Sequence, residues 1–191
     1  MKQVLFFFGF FIVLLQACGS DSNTAPSESD VETYPSTIDS AKIKSTDTLV
    51  FEQGKLWSTS SMVTIPMNTR DTLKYTEENG KPVRISAMFF TDSTTTWLTA
   101  HYKGDDLILT RFRRFALKPV PNSLEAICYI ENGKIYHSIE RARNISEGGQ
   151  IGEFRLEPYK TNNRTPAQLK AEYEPFLEAA TKTISERNSK Q

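Results

Sequence analysis

The chain has 191 residues, 38% of them hydrophobic, and its 23 basic side chains balance 23 acidic ones. This length predicts one domain of ordinary size with a substantial core. A formal net charge of zero does not indicate long-range attraction to nucleic acid or to a membrane surface, so no nucleic-acid partner is expected.

Residues 1–17 have the pattern of a bacterial export signal. Lys2 supplies a positive start, and an apolar run of about a dozen residues follows it, which is too short to span a membrane. The run ends in Leu15-Gln16-Ala17-Cys18, which resembles the lipobox of bacterial lipoproteins. The resemblance implies cleavage before Cys18 and a lipid on its thiol, which would hold the chain on a membrane. The alternative is an uncleaved signal anchor in which Cys18 has no role.

Residues 18–47 follow as a predicted flexible, acidic tether. They are rich in Ser, Thr, Asp and Glu and have few large apolar side chains, so they cannot bury enough surface to fold. Gly19 stands where the inner-membrane lipoproteins of enteric bacteria carry Asp as a retention signal, and for a chain that resembles a lipoprotein this difference implies the outer membrane of the cell envelope as the location. The folded domain is expected to occupy residues 48–191.

Residues 48–141 show the pattern of successive β-hairpins. Turns are predicted at Gly54, Gly80, Gly104 and Gly133, most clearly at the Asn-Gly pairs that end in Gly80 and Gly133. Alternating apolar residues between the turns indicate an antiparallel meander with one packed face. The fold class is therefore α+β, mainly β. The turns are similar to the tandem Asn-Gly-Lys hairpin repeats of bacterial envelope proteins, and this similarity implies a binding or scaffold role without catalysis.

Residues 166–187 are predicted to form one amphipathic helix. Thr165, Pro166 and Gln168 match an N-cap, a proline at the first helical position and a capping box. Pro175 predicts a kink or break near Glu174. An apolar stripe indicates that the helix covers the apolar face of the sheet; it consists of Leu169, Tyr173, Phe176, Leu177, Ala180 and Ile184.

The sequence contains no motif of catalysis, metal binding or cofactor binding, so none of these functions is predicted. His101 and His137 lie in different hairpins and could meet across the sheet, although ordinary strand histidines are the favoured interpretation. Cys128 sits in an apolar run and is interpreted as a buried small hydrophobe, with a catalytic thiol as the alternative. Trp57 and Trp97 are interpreted as core residues.

Three arginines interleave with aromatic residues at Arg111, Arg113 and Arg114. Strict alternation fails near Arg114, which predicts a β-bulge there. One interpretation is protection of an edge strand by charge. The other is a binding site for an anionic ligand or a partner protein.

Three classes of function remain open from the sequence. The leading hypothesis is a lipid-anchored, non-enzymatic envelope protein with a binding or scaffold role. The second is a carrier that holds an apolar ligand between sheet and helix, which would require a cavity there. The third is an enzyme with an unrecognised site, which would place perturbed titratable groups together in a cleft.

Overall fold

The computed structural model describes residues 32–59, 63–67, 70–116, 122–144 and 157–190. The predicted signal sequence, Cys18 and the predicted tether up to residue 31 lie outside the described residues, as does the Trp57 side chain. No helix in the described ranges is both long enough and apolar enough to cross a membrane.

One antiparallel sheet organises the described residues. Its strands pair in chain order, each with the next, so the predicted meander is confirmed. The strands are β1 (Val63–Pro66), β2 (Thr72–Glu78), β3 (Lys81–Phe90), β4 (Thr94–Lys103), β5 (Asp106–Ala116), β6 (Asn122–Glu131), β7 (Lys134–Asn144) and β8 (Lys160–Thr161). Two helices accompany them, α1 (Ser40–Thr59) and α2 (Pro166–Asn188), which gives the predicted α+β class.

The predicted turns at Gly80, Gly104 and Gly133 join consecutive long strands. Gly80 has a φ of 76° after Asn79 at 55°, and Gly133 has a φ of 75° after Asn132 at 50°. Positive φ at both central residues defines the type I′ turn, whose twist matches that of the flanking strands. The Asn-Gly pairs therefore set these two hairpins, as predicted.

The face of the sheet that α2 covers is called the inner face. The buried apolar side chains of both elements form a single cluster there. From the sheet it includes Leu73, Tyr75, Ile85, Ala87, Phe89, Leu98, Ala100, Phe112, Ala126 and Cys128. From the helix it includes Leu169, Tyr173, Ala180 and Ile184. The predicted packing of the C-terminal helix on the apolar face is confirmed, and burial raises the pKa of the Cys128 thiol to about 12.

Helix α2 begins as the sequence predicts. The Thr165 hydroxyl accepts a hydrogen bond from the Gln168 backbone N–H, and the Gln168 side chain accepts one from the Thr165 N–H. The helix then continues through Pro175 to Asn188 without the predicted break. Leu169 and Tyr173 on one side of the proline and Ala180 on the other are all buried against the sheet. This burial offsets the backbone hydrogen bond that proline removes.

The predicted hairpin at Gly54 is wrong, because residues 51–56 lie inside helix α1. The predicted tether, which would have reached residue 47, also overlaps this helix from Ser40 onward. Asp39 begins the helix, since its carboxylate accepts a hydrogen bond from the Lys42 backbone N–H at 3.0 Å. Gly54 weakens the helix locally, but contacts with the sheet hold it in place.

Helix α1 lies on the other face of the sheet, called the outer face. Gln53 is buried and its side-chain oxygen lies 2.8 Å from Nδ1 of His101 in β4. Asp47 accepts a hydrogen bond of 2.9 Å from the Tyr129 hydroxyl in β6. Both contacts lie near the hairpin turns at Gly104 and Gly133. Helix α1 therefore covers that end of the outer face.

Strand β5 has no bulge near Arg114, contrary to the prediction. Its pairing is continuous with β4 and with β6 from Leu109 to Ala116. The described register shifts lie beside the hairpin turns instead, at Thr76, His101 and Tyr129. Arg114 breaks the apolar pattern because it keeps an inner-face position and donates a hydrogen bond of 2.7 Å to Glu172 of α2.

Candidate functional site

The three arginines singled out in the sequence lie on β5, which has β4 and β6 on either side. Protection of an edge strand therefore cannot explain them, and that interpretation is wrong. The structure also separates them. Arg111 and Arg113 stand on the outer face, whereas Arg114 stands on the inner face and pairs with α2.

A cleft opens on the outer face around Arg111 and Arg113, and we call it the outer-face cleft. Its volume is about 210 Å³, and it is lined by Trp97, Thr99, Arg111, Arg113 and Glu125. Strand register places these residues together, because Trp97 pairs with Arg113, Thr99 pairs with Arg111, and Glu125 pairs with Arg113 from the other side. The cleft thus spans three adjacent central strands.

Glu125 is the buried anchor of the outer-face cleft. One carboxylate oxygen accepts hydrogen bonds from Arg111, including one of 2.8 Å from Nε. The other accepts one of 2.6 Å from Arg141 Nε and one of 3.1 Å from the Tyr159 hydroxyl. Burial favours a raised pKa for Glu125, but these hydrogen bonds and the charge of Arg111 outweigh it and lower the pKa. Glu125 is therefore a fixed anion, poorly suited to proton transfer near neutral pH.

Arg113 is the least constrained of the cationic side chains at the cleft. Its guanidinium lies over the Trp97 ring, 5.6 Å from the centroid. Within the described ranges no carboxylate pairs with Arg113, whereas Arg111 and Arg141 both pair with Glu125. The Arg113 residue is exposed, as an anion-binding group must be.

Two exposed aromatic side chains border these charges. Trp97 is 36% exposed, so its predicted core position is wrong. Tyr159 is 38% exposed, and the Arg141 guanidinium lies 4.4 Å from the centroid of its ring. Exposed aromatic rings beside arginines are typical of binding surfaces. Sequence alone did not reveal Glu125, Arg141 and Tyr159, because they join the site only through strand pairing and tertiary contact.

The other predicted candidates do not join the cleft. His101 contacts Gln53 under helix α1, and its pKa is lowered to about 4 by burial and by the charge of Arg84. The His137 ring packs against Tyr129, with centroids 5.4 Å apart, and burial lowers its pKa. The two histidines do not meet, because β5 and β6 lie between their strands. Burial is the main cause of both pKa shifts, which is typical of structural histidines.

Metal binding has no visible basis in the part of the chain that the structure describes. No group of three or more His, Cys, Asp and Glu side chains is placed there to hold an ion.

Comparison of the chain with protein-family models, with curated proteins and with solved structures finds no match.

Proposed function

We propose that this chain is a lipid-anchored, non-enzymatic protein of the bacterial cell envelope that binds another molecule through the outer face of its sheet. The observation that carries the proposal is the outer-face cleft, where Arg113 and Trp97 remain exposed on central strands. Arginine and tryptophan at such positions offer hydrogen-bond donors and contact area that packing has not used. The lipobox resemblance at residues 15–18 supports the anchor.

A non-enzymatic role is supported by the chemistry of the cleft. Glu125 is the only carboxylate among the described residues that line it, and both of its oxygens already accept hydrogen bonds from arginine or tyrosine. The buried Cys128 lies in the inner-face core, where its raised pKa keeps it a thiol. These groups favour recognition over acid–base or nucleophilic chemistry.

Binding at this face is tested by photo-cross-linking in the cells that produce the protein. A photoreactive amino acid at Thr99, in the cleft, is compared with one at Thr181, which is exposed on α2. We expect an adduct of defined mass from position 99 but not from position 181, and its loss when Arg113→Ala is added. Failure to form an adduct at position 99, or an adduct that persists without Arg113, would contradict the proposed binding role.

The anchor is tested separately by replacing Cys18 with Ala. We expect wild type to take up labelled palmitate and to fractionate with the outer membrane, and the variant to lose both properties. Label retained by the variant would show that Cys18 is not the lipidated residue.

A further inference from the structure

The charges of the outer-face cleft do not balance. Arg111 and Arg141 both donate to Glu125, so one carboxylate is shared by two guanidinium groups. Arg113 adds a third positive charge two residues from Arg111 on the same face. Among the described residues, three arginines around one carboxylate leave a formal excess of two positive charges. Although it is paired, the Arg111 side chain is still 53% exposed and therefore accessible to a ligand.

The arrangement is suited to an oxyanion with two negative charges. Guanidinium groups bind carboxylates and phosphates through paired hydrogen bonds, so charge decides between these two ligands. A carboxylate brings one negative charge, whereas a phosphate monoester brings about 1.5 to 2 at neutral pH. Of the two, the phosphate monoester comes closer to neutralising the excess left by Arg111, Arg113 and Arg141 around Glu125.

The walls of the cleft indicate what carries the phosphate. The Trp97 ring forms one side, and its exposed surface would be covered by an organic group stacked beside the arginines. A volume of about 210 Å³ is below the range of about 300–1,000 Å³ that is usual for pockets of drug-sized ligands. A ligand that fits this volume would have one ring-sized group next to its phosphate.

We infer that the outer-face cleft binds a phosphate monoester of a small organic group, with the phosphate on Arg113 and Arg111 and the organic group against Trp97. This inference rests on the proposed binding function and specifies its ligand class. Glu125 holds Arg111 and Arg141 in place, because its two carboxylate oxygens accept their hydrogen bonds.

The test uses the full-length protein in neutral detergent with Trp57→Phe, so that Trp97 is the sole tryptophan and its fluorescence reports on the cleft. The probes are phenyl phosphate and benzenesulfonate, which share a ring and a tetrahedral anion but differ in charge near neutral pH. We expect phenyl phosphate to bind saturably and at least about 10-fold more tightly at pH 7.5 than benzenesulfonate. The preference should shrink at pH 5.5, where the phosphate has lost most of its second charge.

Two variants locate the site. Arg113→Ala removes charge-assisted hydrogen bonds and should weaken binding of phenyl phosphate by at least about 10-fold. Lys134→Ala removes the same charge from an exposed position at the β6–β7 turn and should leave the affinity unchanged.

Equal affinity for the two probes, or an affinity for phenyl phosphate that is unchanged in Arg113→Ala, would overturn the inference. The same holds if neither probe binds. If an Arg113-dependent adduct nevertheless forms at position 99 in cells, the binding function stands and only the ligand class is wrong. If that adduct is missing as well, the proposed function falls too.

Discussion

Arg113 and Arg114 are neighbours in the chain but act on opposite faces of the sheet. Arg113 lies over Trp97 at the outer-face cleft, whereas Arg114 donates to Glu172 of α2 on the inner face. Glu172 also accepts a hydrogen bond of 3.1 Å from Arg164, which itself pairs with the buried Glu140. One arginine is thus part of the contact between sheet and helix, and the other is available to a ligand.

Replacing each arginine with alanine should separate these roles. Arg114→Ala removes a partly exposed ion pair and should lower the free energy of unfolding by about 1 kcal/mol. Arg113→Ala should change it by less than about 0.5 kcal/mol, because its guanidinium is exposed and has no ion-pair partner in the described ranges. Urea unfolding of both variants measures the difference. A cost for Arg113→Ala equal to that for Arg114→Ala would show that Arg113 is structural.

Gly54 and Gly133 provide a second pair of opposite expectations. Gly54 lies inside helix α1 with open space around its missing Cβ, so Gly54→Ala should stabilise the protein by about 0.5–1 kcal/mol. Gly133 has a φ of 75°, which a β-branched residue adopts only with strain, so Gly133→Val should destabilise the protein by more than about 1 kcal/mol. Thermal melts of the two variants should shift in opposite directions. Loss of stability in Gly54→Ala would favour a turn at that position.

The contrast between these glycines shows which parts of the fold the sequence could predict. The turns at Gly80 and Gly133 depend on local chemistry, because an Asn-Gly pair accepts positive φ wherever it occurs. At Gly54 the flanking residues also favoured a turn, but contacts of Gln53 and Asp47 with the sheet support a helix. Asp39 was the local signal of that helix, as a capping residue.

The candidate site was predictable only in part for the same reason. The sequence singled out Arg111 and Arg113 as a basic-aromatic run. Their position on the outer face, and that of Arg114 on the inner face, follow from which strands pair and in which register. Glu125 joins Arg111 across strands β5 and β6, and such pairing between distant segments leaves no periodic signal in either strand alone.

The buried His101 should make stability depend on pH. Burial, together with the charge of Arg84, lowers its pKa from 6.5 to about 4 in the folded protein. Between these values the unfolded chain binds more protons than the folded one, so stability falls as the pH decreases from 6.5 toward 4. From pH 7 to pH 5 the loss from this residue should be about 2 kcal/mol.

Urea unfolding of wild type and His101→Gln across that range tests this expectation. The His101→Gln variant should lose less stability than wild type on acidification. The second buried histidine, His137, also has a lowered pKa, so His137→Gln is measured alongside to separate its contribution from that of His101. Parallel pH profiles for wild type and His101→Gln would contradict a buried neutral His101.

Phe176 distinguishes a solid inner core from a lid over an apolar ligand. Its ring lies 4.9 Å from that of Phe89 and packs against the core cluster, although it is only partly buried. Phe176→Ala should therefore cost about 2–3 kcal/mol, less than the 3–5 kcal/mol typical of a fully buried phenylalanine. Phe51→Ala is the matched control, because Phe51 is 64% exposed on α1 and its loss should cost little.

The same variants should then be tested for binding of an apolar fluorescent dye. In a solid core, side chains such as Leu169, Tyr173 and Ala180 already fill the space between α2 and the sheet, so wild type should bind no dye. A carrier would bind dye saturably, lose that binding in Phe176→Ala and keep most of its stability, because its helix would rest on a replaceable ligand. Saturable dye binding by wild type, together with little loss of stability in Phe176→Ala, would therefore identify the inner face as the functional surface instead of the outer-face cleft.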